Sequence, residues 1–253
     1  MNTKIVLLII IIVILLLCLF NNCSYGENFD SSVNLTASDE GCIDSGDIIA
    51  KFYAIGQKDN ALYTKTDIKA DWTLLDNKYQ YTSFNKFGNM YVAVINLKTG
   101  ISQNLNTGWT TPNPTAAFIF RYAKITPDPK YIILGMDKRI RTQTGFTDVS
   151  APISTDAFTD LAYDPNTNQY IGVGLDGFLY KSPLLASGFT KITEPNSTLS
   201  IAVNGPNYYG IGNDYKTIWI KNNLAAPWAV AATSNIPISY INVINERRIP
   251  FGG

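Results

Sequence analysis

The chain has no histidine, only three cysteines, and charged residues make up just 16% of its 253 residues. Without histidine, neither a Ser-His-Asp nor a Cys-His nucleophile system can form, and histidine-ligated metal sites are excluded. The 20 basic and 20 acidic residues leave no net charge, whereas nucleic-acid-binding domains are usually basic. We therefore predict neither a histidine-dependent hydrolase nor a nucleic-acid-binding protein.

Glutamate is scarce as well, because only Glu194 and Glu246 follow residue 47. A glycosidase needs two carboxylates that face one cleft, and the aspartates least explained by turn geometry are Asp156 and Asp160. Four other aspartates lie in predicted hairpin turns, where aspartate serves the turn itself: Asp59, Asp137, Asp176 and Asp214. The chain has neither a glycine-rich phosphate loop nor EF-hand spacing. We predict no enzymatic activity, no cofactor and no metal site.

Basic residues cluster at two places, Lys138-Arg139 with Arg141 and Arg247-Arg248. We interpret the first cluster as a solvated hairpin and the second as a solvated tail, rather than as anion-binding sites.

A continuous apolar run, Ile5–Phe20, follows a short polar head that contains Lys4. Its length lies between a signal-peptide core and a membrane span of about 20 residues. We favour an uncleaved helical anchor with Lys4 on the cytosolic side; the alternative is a signal peptide cleaved before Glu27. Both interpretations place the remaining chain outside the cytosol. We therefore divide the chain into an anchor or signal peptide (1–26), a polar linker (27–47) and a folded domain (48–253).

An extracytoplasmic location would permit two kinds of covalent modification. Cys23 and Cys42 could form a disulfide in an oxidising compartment. Asn34 and Asn196 begin glycosylation sequons, which are used only if a eukaryotic secretory route makes the protein.

A short Tyr- or Phe-rich strand recurs every 38 to 40 residues in the domain. Its copies are Phe52–Gly56, Tyr91–Ile95, Tyr131–Gly135, Tyr170–Gly174 and Tyr208–Gly212. Each copy is followed by a second strand, as in Asn168–Lys181, where Leu175-Asp176-Gly177 forms the turn and Asp-Gly supplies the positive φ that a tight hairpin needs. A repeat of this period decides the fold.

Three further markers complete each repeat. The second strand begins at Leu62, Ile101, Ile140, Leu179 and Ile218. An aromatic residue follows at Trp72, Trp109, Phe146, Phe189 and Trp228. An apolar run then leads into the next repeat: Tyr79–Phe84, Ala116–Tyr122, Phe158–Tyr163, Leu199–Val203 and Ile238–Ile244. Four strands in about 40 residues are typical of a β-propeller blade, so we predict an all-β, five-bladed propeller of four-stranded antiparallel blades.

The ends of the repeat region indicate how the propeller closes. The first repeat lacks an apolar run before Phe52, and the last run, Ile238–Ile244, has no strand after it. We favour pairing of Ile238–Ile244 with Phe52–Gly56, which would hide two sheet edges; Ile43–Ala50 is the competing partner. We interpret the repeated aromatics as packing between blades. The small residues Ala54, Ala93, Gly172 and Gly210 would let the inner strands crowd around the axis.

The order of these elements resembles the tachylectin-type five-bladed propeller lectins, most clearly in Phe158–Asn166, Tyr170–Gly174 and Leu179–Lys181. The resemblance covers Phe52 to Ile244 and implies binding of N-acetylated sugars between neighbouring blades. The Gly-Gly-Trp segment of that family is missing, and the corresponding loops read Pro112-Asn113-Pro114, Ser154-Thr155-Asp156 and Pro195-Asn196-Ser197. No ligand-binding residue can therefore be assigned from the resemblance.

We predict a non-enzymatic, extracytoplasmic recognition module, either membrane-anchored through residues 5–20 or secreted. Carbohydrate is the first ligand class and protein is the second. The third possibility is a structural component of a virion or cell envelope. A lectin should repeat exposed aromatic and amide groups at equivalent loops, whereas a protein binder should carry one irregular surface on a single face.

Overall fold

The computed structural model describes residues 48–87, 90–105, 108–116, 119–122, 130–144, 148–186, 188–192 and 197–247. These residues form strands, turns and loops without a helix, so none of their segments is a helix long and apolar enough to cross a membrane. The predicted N-terminal helix and the linker lie outside the described residues. The described strands form five four-stranded antiparallel sheets, and the fold is a β-propeller.

The sheets are numbered here by the repeat that supplies most of their strands. Sheet 1 has the order β20-β1-β2-β3, with β20 (Ile238–Arg247), β1 (Ile48–Gly56), β2 (Leu62–Lys65) and β3 (Thr73–Asp76). Sheet 2 contains β4 (Tyr81–Phe87), β5 (Met90–Ile95), β6 (Lys98–Ser102) and β7 (Thr110–Ala116). Sheet 3 contains β8 (Ile119–Tyr122), β9 (Lys130–Leu134), β10 (Ile140–Thr144) and β11 (Asp148–Val149). Sheet 4 contains β12 (Phe158–Asp164), β13 (Gln169–Gly174), β14 (Leu179–Ser182) and β15 (Thr190–Lys191). Sheet 5 contains β16 (Thr198–Asn204), β17 (Asn207–Gly212), β18 (Thr217–Lys221) and β19 (Ala229–Thr233).

One strand of each sheet faces the axis of the propeller, and we call it the inner strand. The inner strands β4, β8, β12, β16 and β20 contact one another in that order, and β20 contacts β4 again. The C-terminal strand completes sheet 1, because β20 pairs with β1 from Ile48–Arg247 to Gly56–Ile238. This is the closure that the sequence favoured, and it removes two free sheet edges.

Hydrogen bonds from the third position of several inner strands join neighbouring sheets. Asp160 is fully buried and accepts from the Ser200 hydroxyl at 2.5 Å and the Ile201 N–H at 2.9 Å. Ser200 Oγ accepts the Ile241 N–H at 3.1 Å, and the Tyr240 hydroxyl donates to the Phe84 carbonyl at 3.2 Å. Four inner strands, β4, β12, β16 and β20, carry a β-bulge near this position. The bulge turns the side chain that follows it toward the next sheet.

Some aromatic rings pack between neighbouring sheets, as predicted, whereas the predicted markers Trp109 and Phe189 contact rings of their own sheet. Tyr53 of β1 lies 4.7 Å from Phe84 of β4, and Phe52 of β1 lies 5.2 Å from Tyr209 of β17, measured between ring centroids. Each large ring buries much apolar area, which stabilises the contact between two sheets.

The predicted role of the small residues is wrong. Ala54, Ala93, Gly172 and Gly210 lie on the second strand of their sheets rather than at the axis. A Cβ at Gly172 would lie 2.5 Å from the Phe158 ring, so this glycine makes room for an aromatic side chain of its own sheet.

Two lysines are buried at equivalent positions of sheets 1 and 5. Lys65 Nζ donates to the carbonyls of Ile68 at 2.7 Å and Ala70 at 3.1 Å, and it lies 4.2 Å from the Trp72 ring centroid. Lys221 Nζ donates to the Leu224 carbonyl and lies 4.6 Å from the ring centroid of Trp228, which directly precedes the outer strand. Burial lowers the pKa of Lys65 to about 8. Each lysine holds the loop before the outer strand in place.

Some predicted strand boundaries were wrong. The predicted inner run Tyr79–Phe84 begins at Tyr81 instead, and β6 begins at Lys98 rather than Ile101. The second difference arises because a two-residue turn, Asn96-Leu97, joins β5 to β6. Phe146, the predicted aromatic marker of the third repeat, lies outside the described residues.

Candidate binding surface

The turns between the second and third strands of all five sheets lie at one end of the propeller. Antiparallel strands alternate in direction, so the connections from each outer strand to the next inner strand lie at this end as well. We call this end the turn face. Ile48 and Arg247 lie at the opposite end, where β1 and β20 extend past the shorter pairs.

The backbone repeats closely in four of these turns, and sheet 2 has a shorter turn of two residues. In each turn one residue has φ between +53° and +76°, the left-handed region: Asn60, Leu97, Lys138, Gly177 and Tyr215. In four turns the carbonyl of that residue accepts the N–H of the first residue in the next inner strand: Asn60 from Tyr81, Lys138 from Phe158, Gly177 from Thr198 and Tyr215 from Ile238. The repeated turn therefore also joins four of the five sheets to the next sheet.

The four turn aspartates serve this geometry, as predicted. Each carboxylate accepts the N–H two residues later, at 3.1 Å in Asp59, 3.2 Å in Asp137, 3.1 Å in Asp176 and 3.0 Å in Asp214. A side chain of the third strand donates to the same carboxylate: Tyr63, Arg141, Tyr180 and Thr217.

Neighbouring donors shift the pKa values of these groups. The Arg141 guanidinium, 2.6 Å from Asp137, holds the pKa of that carboxyl well below its usual range. The hydrogen bond from the Lys191 ammonium, 2.8 Å away, lowers the pKa of Asp176. The hydrogen bond to Asp59 raises the pKa of Tyr63 to about 12. Asp137 and Asp176 are held as charged acceptors, which suits a structural role better than proton transfer.

The turn tips differ from sheet to sheet in their side chains. Three consecutive sheets present large apolar residues to solvent: Leu97 is 45% exposed, Met136 56% and Leu175 61%. We call these three residues the apolar tips. The equivalent turns of sheets 1 and 5 carry the polar residues Gln57 and Asn213. The other exposed large apolar residues of the described chain lie elsewhere, on outer strands (Leu74, Val230), in a loop after β14 (Leu184) and at the opposite end (Ile48).

The two aspartates considered for catalysis lie in different environments, one buried and one exposed. Asp160 is buried and accepts three hydrogen bonds, including the Leu161 N–H at 2.7 Å. Asp156 is exposed in the loop before β12, where its N–H donates to Ser154 Oγ at 3.0 Å. Within the described ranges, no group of three or more Cys, Asp or Glu could hold a metal ion. Asp160 is occupied in joining sheets 4 and 5.

The remaining predicted sites are distributed as follows. Asn34, Asn196, Cys23, Cys42, Arg248 and residues 5–20 lie outside the described residues. Lys138 and Arg139 lie in or beside the turn of sheet 3, and Arg141 pairs with Asp137. Arg247 ends β20. Of the loops that replace Gly-Gly-Trp, Pro112-Asn113-Pro114 lies within the outer strand β7.

The apolar tips were not predicted from the sequence. One signal was present, because turn positions usually carry Gly, Asn, Asp or Ser and here carry Leu or Met. The signal became informative only when the fold placed the three residues on one face.

The comparisons with known proteins agree with the propeller fold. A chain in a crystal structure of a nidogen/laminin complex has a TM-score of 0.52 and 8% identity, over 77% of this chain and 97% of that chain. A protein of unknown function from Bacteroides caccae has a TM-score of 0.54 and 7% identity, over 78% and 100%. No protein-family model matches the chain, and no curated protein matches it. At these identities the similarity shows the fold alone.

Proposed function

We propose that this chain is a non-enzymatic, five-bladed β-propeller that recognises a protein partner through its turn face. The exposure of Leu97, Met136 and Leu175 on three consecutive sheets carries the proposal. Large apolar side chains exposed together on one face suit a protein interaction site. A similar chain occurs in a nidogen/laminin complex, which is an assembly of proteins.

The repeated aromatics support this choice over a lectin-like function. Trp72 and Trp228 are buried beneath Lys65 and Lys221, and the Trp109 N–H donates to the Tyr81 hydroxyl at 3.0 Å. Rings used in this way are not free to stack on sugars. The surface that remains is irregular, as expected for a protein binder.

Carbohydrate binding in the manner of the tachylectin-type propellers is the second candidate, and one observation favours it. In sheets 1 and 4 a partly exposed tyrosine donates to the turn aspartate, Tyr63 to Asp59 at 2.6 Å and Tyr180 to Asp176 at 2.9 Å. A ring beside a carboxylate offers a stacking face and hydrogen-bond acceptors for a sugar.

The topology suits a tethered domain. Residues 1–47 join the fold at Ile48, at the end opposite the turn face. If residues 5–20 anchor the chain in a membrane, the turn face points away from the attachment point. We accordingly propose an extracytoplasmic propeller on an N-terminal anchor, with the secreted form as the alternative.

The test places a photo-crosslinking amino acid at position 136 or 175 in cells that make the full chain. We expect a discrete adduct with one protein from both positions. Position 184 is a matched control, because Leu184 is equally exposed but lies outside the turn face. The same full chain is applied to a glycan array.

Three outcomes would contradict the proposal. Saturable glycan binding that survives Met136→Ser and Leu175→Ser would support the carbohydrate alternative. Adducts that form equally from position 184 would remove the role of the turn face. Finding the chain embedded in purified particles or envelopes, with no adduct at any position, would support the structural alternative.

A further inference from the structure

Positive charge on the turn face is concentrated beside two of the apolar tips. In and beside the turns of sheets 2 and 3 there are four cations, Lys98, Lys138, Arg139 and Arg141, and one carboxylate, Asp137. The turns of sheets 1 and 5 each carry one lysine and one aspartate. The excess of cations is therefore local.

The charges near the third apolar tip are closer to balance. Asp176 in the turn of sheet 4 pairs with Lys191 at 2.8 Å, and Asp156 is exposed in the loop that leads into this sheet. Leu97 and Met136 thus lie beside an excess of cations, whereas Leu175 lies beside carboxylates.

The backbone at Leu97 is a second, independent observation. Asn96 and Leu97 have φ of +48° and +64°, so both central residues of this two-residue turn are left-handed. Such turns favour Asn-Gly or Asp-Gly, because a Cβ in this region clashes with the backbone. The Leu97 side chain is 45% exposed. A residue that keeps an exposed apolar side chain in a strained backbone conformation points to a role in binding.

We propose that the apolar tips and the cations beside them bind an extended segment of a partner protein that combines large apolar residues with Asp or Glu. The apolar residues contact Leu97, Met136 and Leu175, and the acidic residues lie over the turns of sheets 2 and 3. This inference rests on the proposed protein-binding function and specifies the chemistry of the partner. Complementary charge selects among apolar partners and excludes basic ones.

The test uses the full chain in detergent micelles and a phage-displayed library of random peptides. We expect selected peptides to combine Leu, Ile or Phe with Asp or Glu. The affinity of a fluorescently labelled selected peptide is then measured by anisotropy. Replacing Leu97 with Gly should weaken binding by about tenfold, the loss expected when one well-packed contact is removed. The pair Lys138→Gln and Arg139→Gln should weaken it several-fold, and this difference should shrink at high salt.

Two matched controls accompany these variants. Lys58→Gln removes a turn lysine from sheet 1, and Leu184→Ser removes an exposed leucine outside the turn face; neither should change the affinity. Glycine suits the backbone at position 97, so Leu97→Gly should keep or raise the midpoint of thermal unfolding. A loss of binding in this variant is then not a loss of folding.

The outcomes separate this inference from the proposed function. Peptides that depend on Leu97 but show no preference for acidic residues would overturn the charge inference and leave protein binding in place. Peptides that bind independently of Leu97 and Met136, or no selected peptide at all, would overturn the proposed function itself. Acidic, apolar peptides that lose affinity in both sets of variants would support both proposals.

Discussion

The inner strands and the turn face follow the same repeat, but different features recur from sheet to sheet in the two regions. In the inner strands, three unlike side chains reach the neighbouring sheet from equivalent positions: Asp160, Ser200 and Tyr240. In the turns, the backbone repeats closely in four sheets and sheet 2 has a shorter turn, while the tips change from Gln57 and Asn213 to Leu97, Met136 and Leu175. The inner strands therefore use different side chains to make the same kind of contact between sheets. The turns share a left-handed residue and differ in the side chains that they expose to solvent.

The difference reflects burial. A buried polar group must find a partner or destabilise the fold, so any inner-strand residue is constrained by what it contacts. An exposed turn tip has no such constraint once the turn itself is held. The turn face is thus the part of this propeller where side chains can be selected for a partner without loss of the fold.

The largest expected effect is on stability at high pH, and it separates the buried interior from the more exposed residues around the turns. Burial raises the pKa of Tyr53, Tyr81 and Tyr208 far above the usual value near 10. Because the folded state keeps these tyrosines protonated, their contribution is complete below about pH 10 and is lost as pH rises further. Above about pH 10, each of these tyrosines should lower the free energy of unfolding by about 1.4 kcal/mol per pH unit.

Urea unfolding at rising pH, followed with tyrosinate absorbance, checks this prediction. Tyr63, a partly exposed residue of β2 that contacts a turn aspartate, should ionise near pH 12 while the chain is still folded, whereas buried tyrosines should ionise only on unfolding. If all tyrosines ionised together in folded protein, the proposed difference in burial would be wrong.

Asp160→Ala should lower the free energy of unfolding by about 3 kcal/mol, because it leaves the Ser200 hydroxyl and the Ile201 N–H buried without this acceptor. Asp156→Ala is the control, and its effect should stay within about 0.5 kcal/mol since Asp156 is exposed. Chemical denaturation of both variants measures the difference. Equal effects would show that the inner-strand contacts do not hold the sheets together.

Lys65→Ala should destabilise the fold by about 2 kcal/mol, because two hydrogen bonds to loop carbonyls and the contact with Trp72 are lost. Lys58→Ala, in an exposed turn, should have an effect near zero. The pKa of Lys65 is lowered to about 8 in the folded chain. The free energy of unfolding of the wild type should therefore rise between about pH 8 and 10, and the variant should lack this rise. Denaturation at two pH values would test both statements.

Leu97→Gly should raise the free energy of unfolding by about 1 kcal/mol, because glycine tolerates φ of +64° without steric cost. Leu97→Ala keeps the Cβ and should leave stability almost unchanged. Thermal unfolding of the two variants makes the comparison. A stability loss in the glycine variant would mean that Leu97 contributes to packing, and the argument for its role in binding would fail.

The smallest effect is expected for Lys191→Met, which breaks the exposed pair with Asp176. Surface pairs contribute about 0.5 kcal/mol. Because Lys191 lowers the pKa of Asp176, the contribution is present above about pH 4 and is lost as pH falls and the carboxyl is protonated. Unfolding at neutral and acidic pH should show a difference between variant and wild type only at the higher pH.

The turns explain how much could be predicted from the sequence. Asp-Gly at 176–177 has a known local preference, so the hairpin and its positive φ were predicted correctly. Lys138 and Tyr215 take the same conformation without any such preference, and here the repeat of the whole sheet imposes it. The predicted start of β6 was wrong because the turn Asn96-Leu97 is shorter than the turns of the other sheets.

The sequence by itself determined the repeat and its period, and it favoured the pairing of the C-terminal strand with the first strand. These follow from local patterns of apolar, aromatic and turn residues, which act along the chain. Only the tertiary structure decided that Asp160 joins two sheets rather than facing a cleft, and that Leu97, Met136 and Leu175 share one face. Those facts depend on residues about 40 positions apart meeting in space, and no single repeat contains that information.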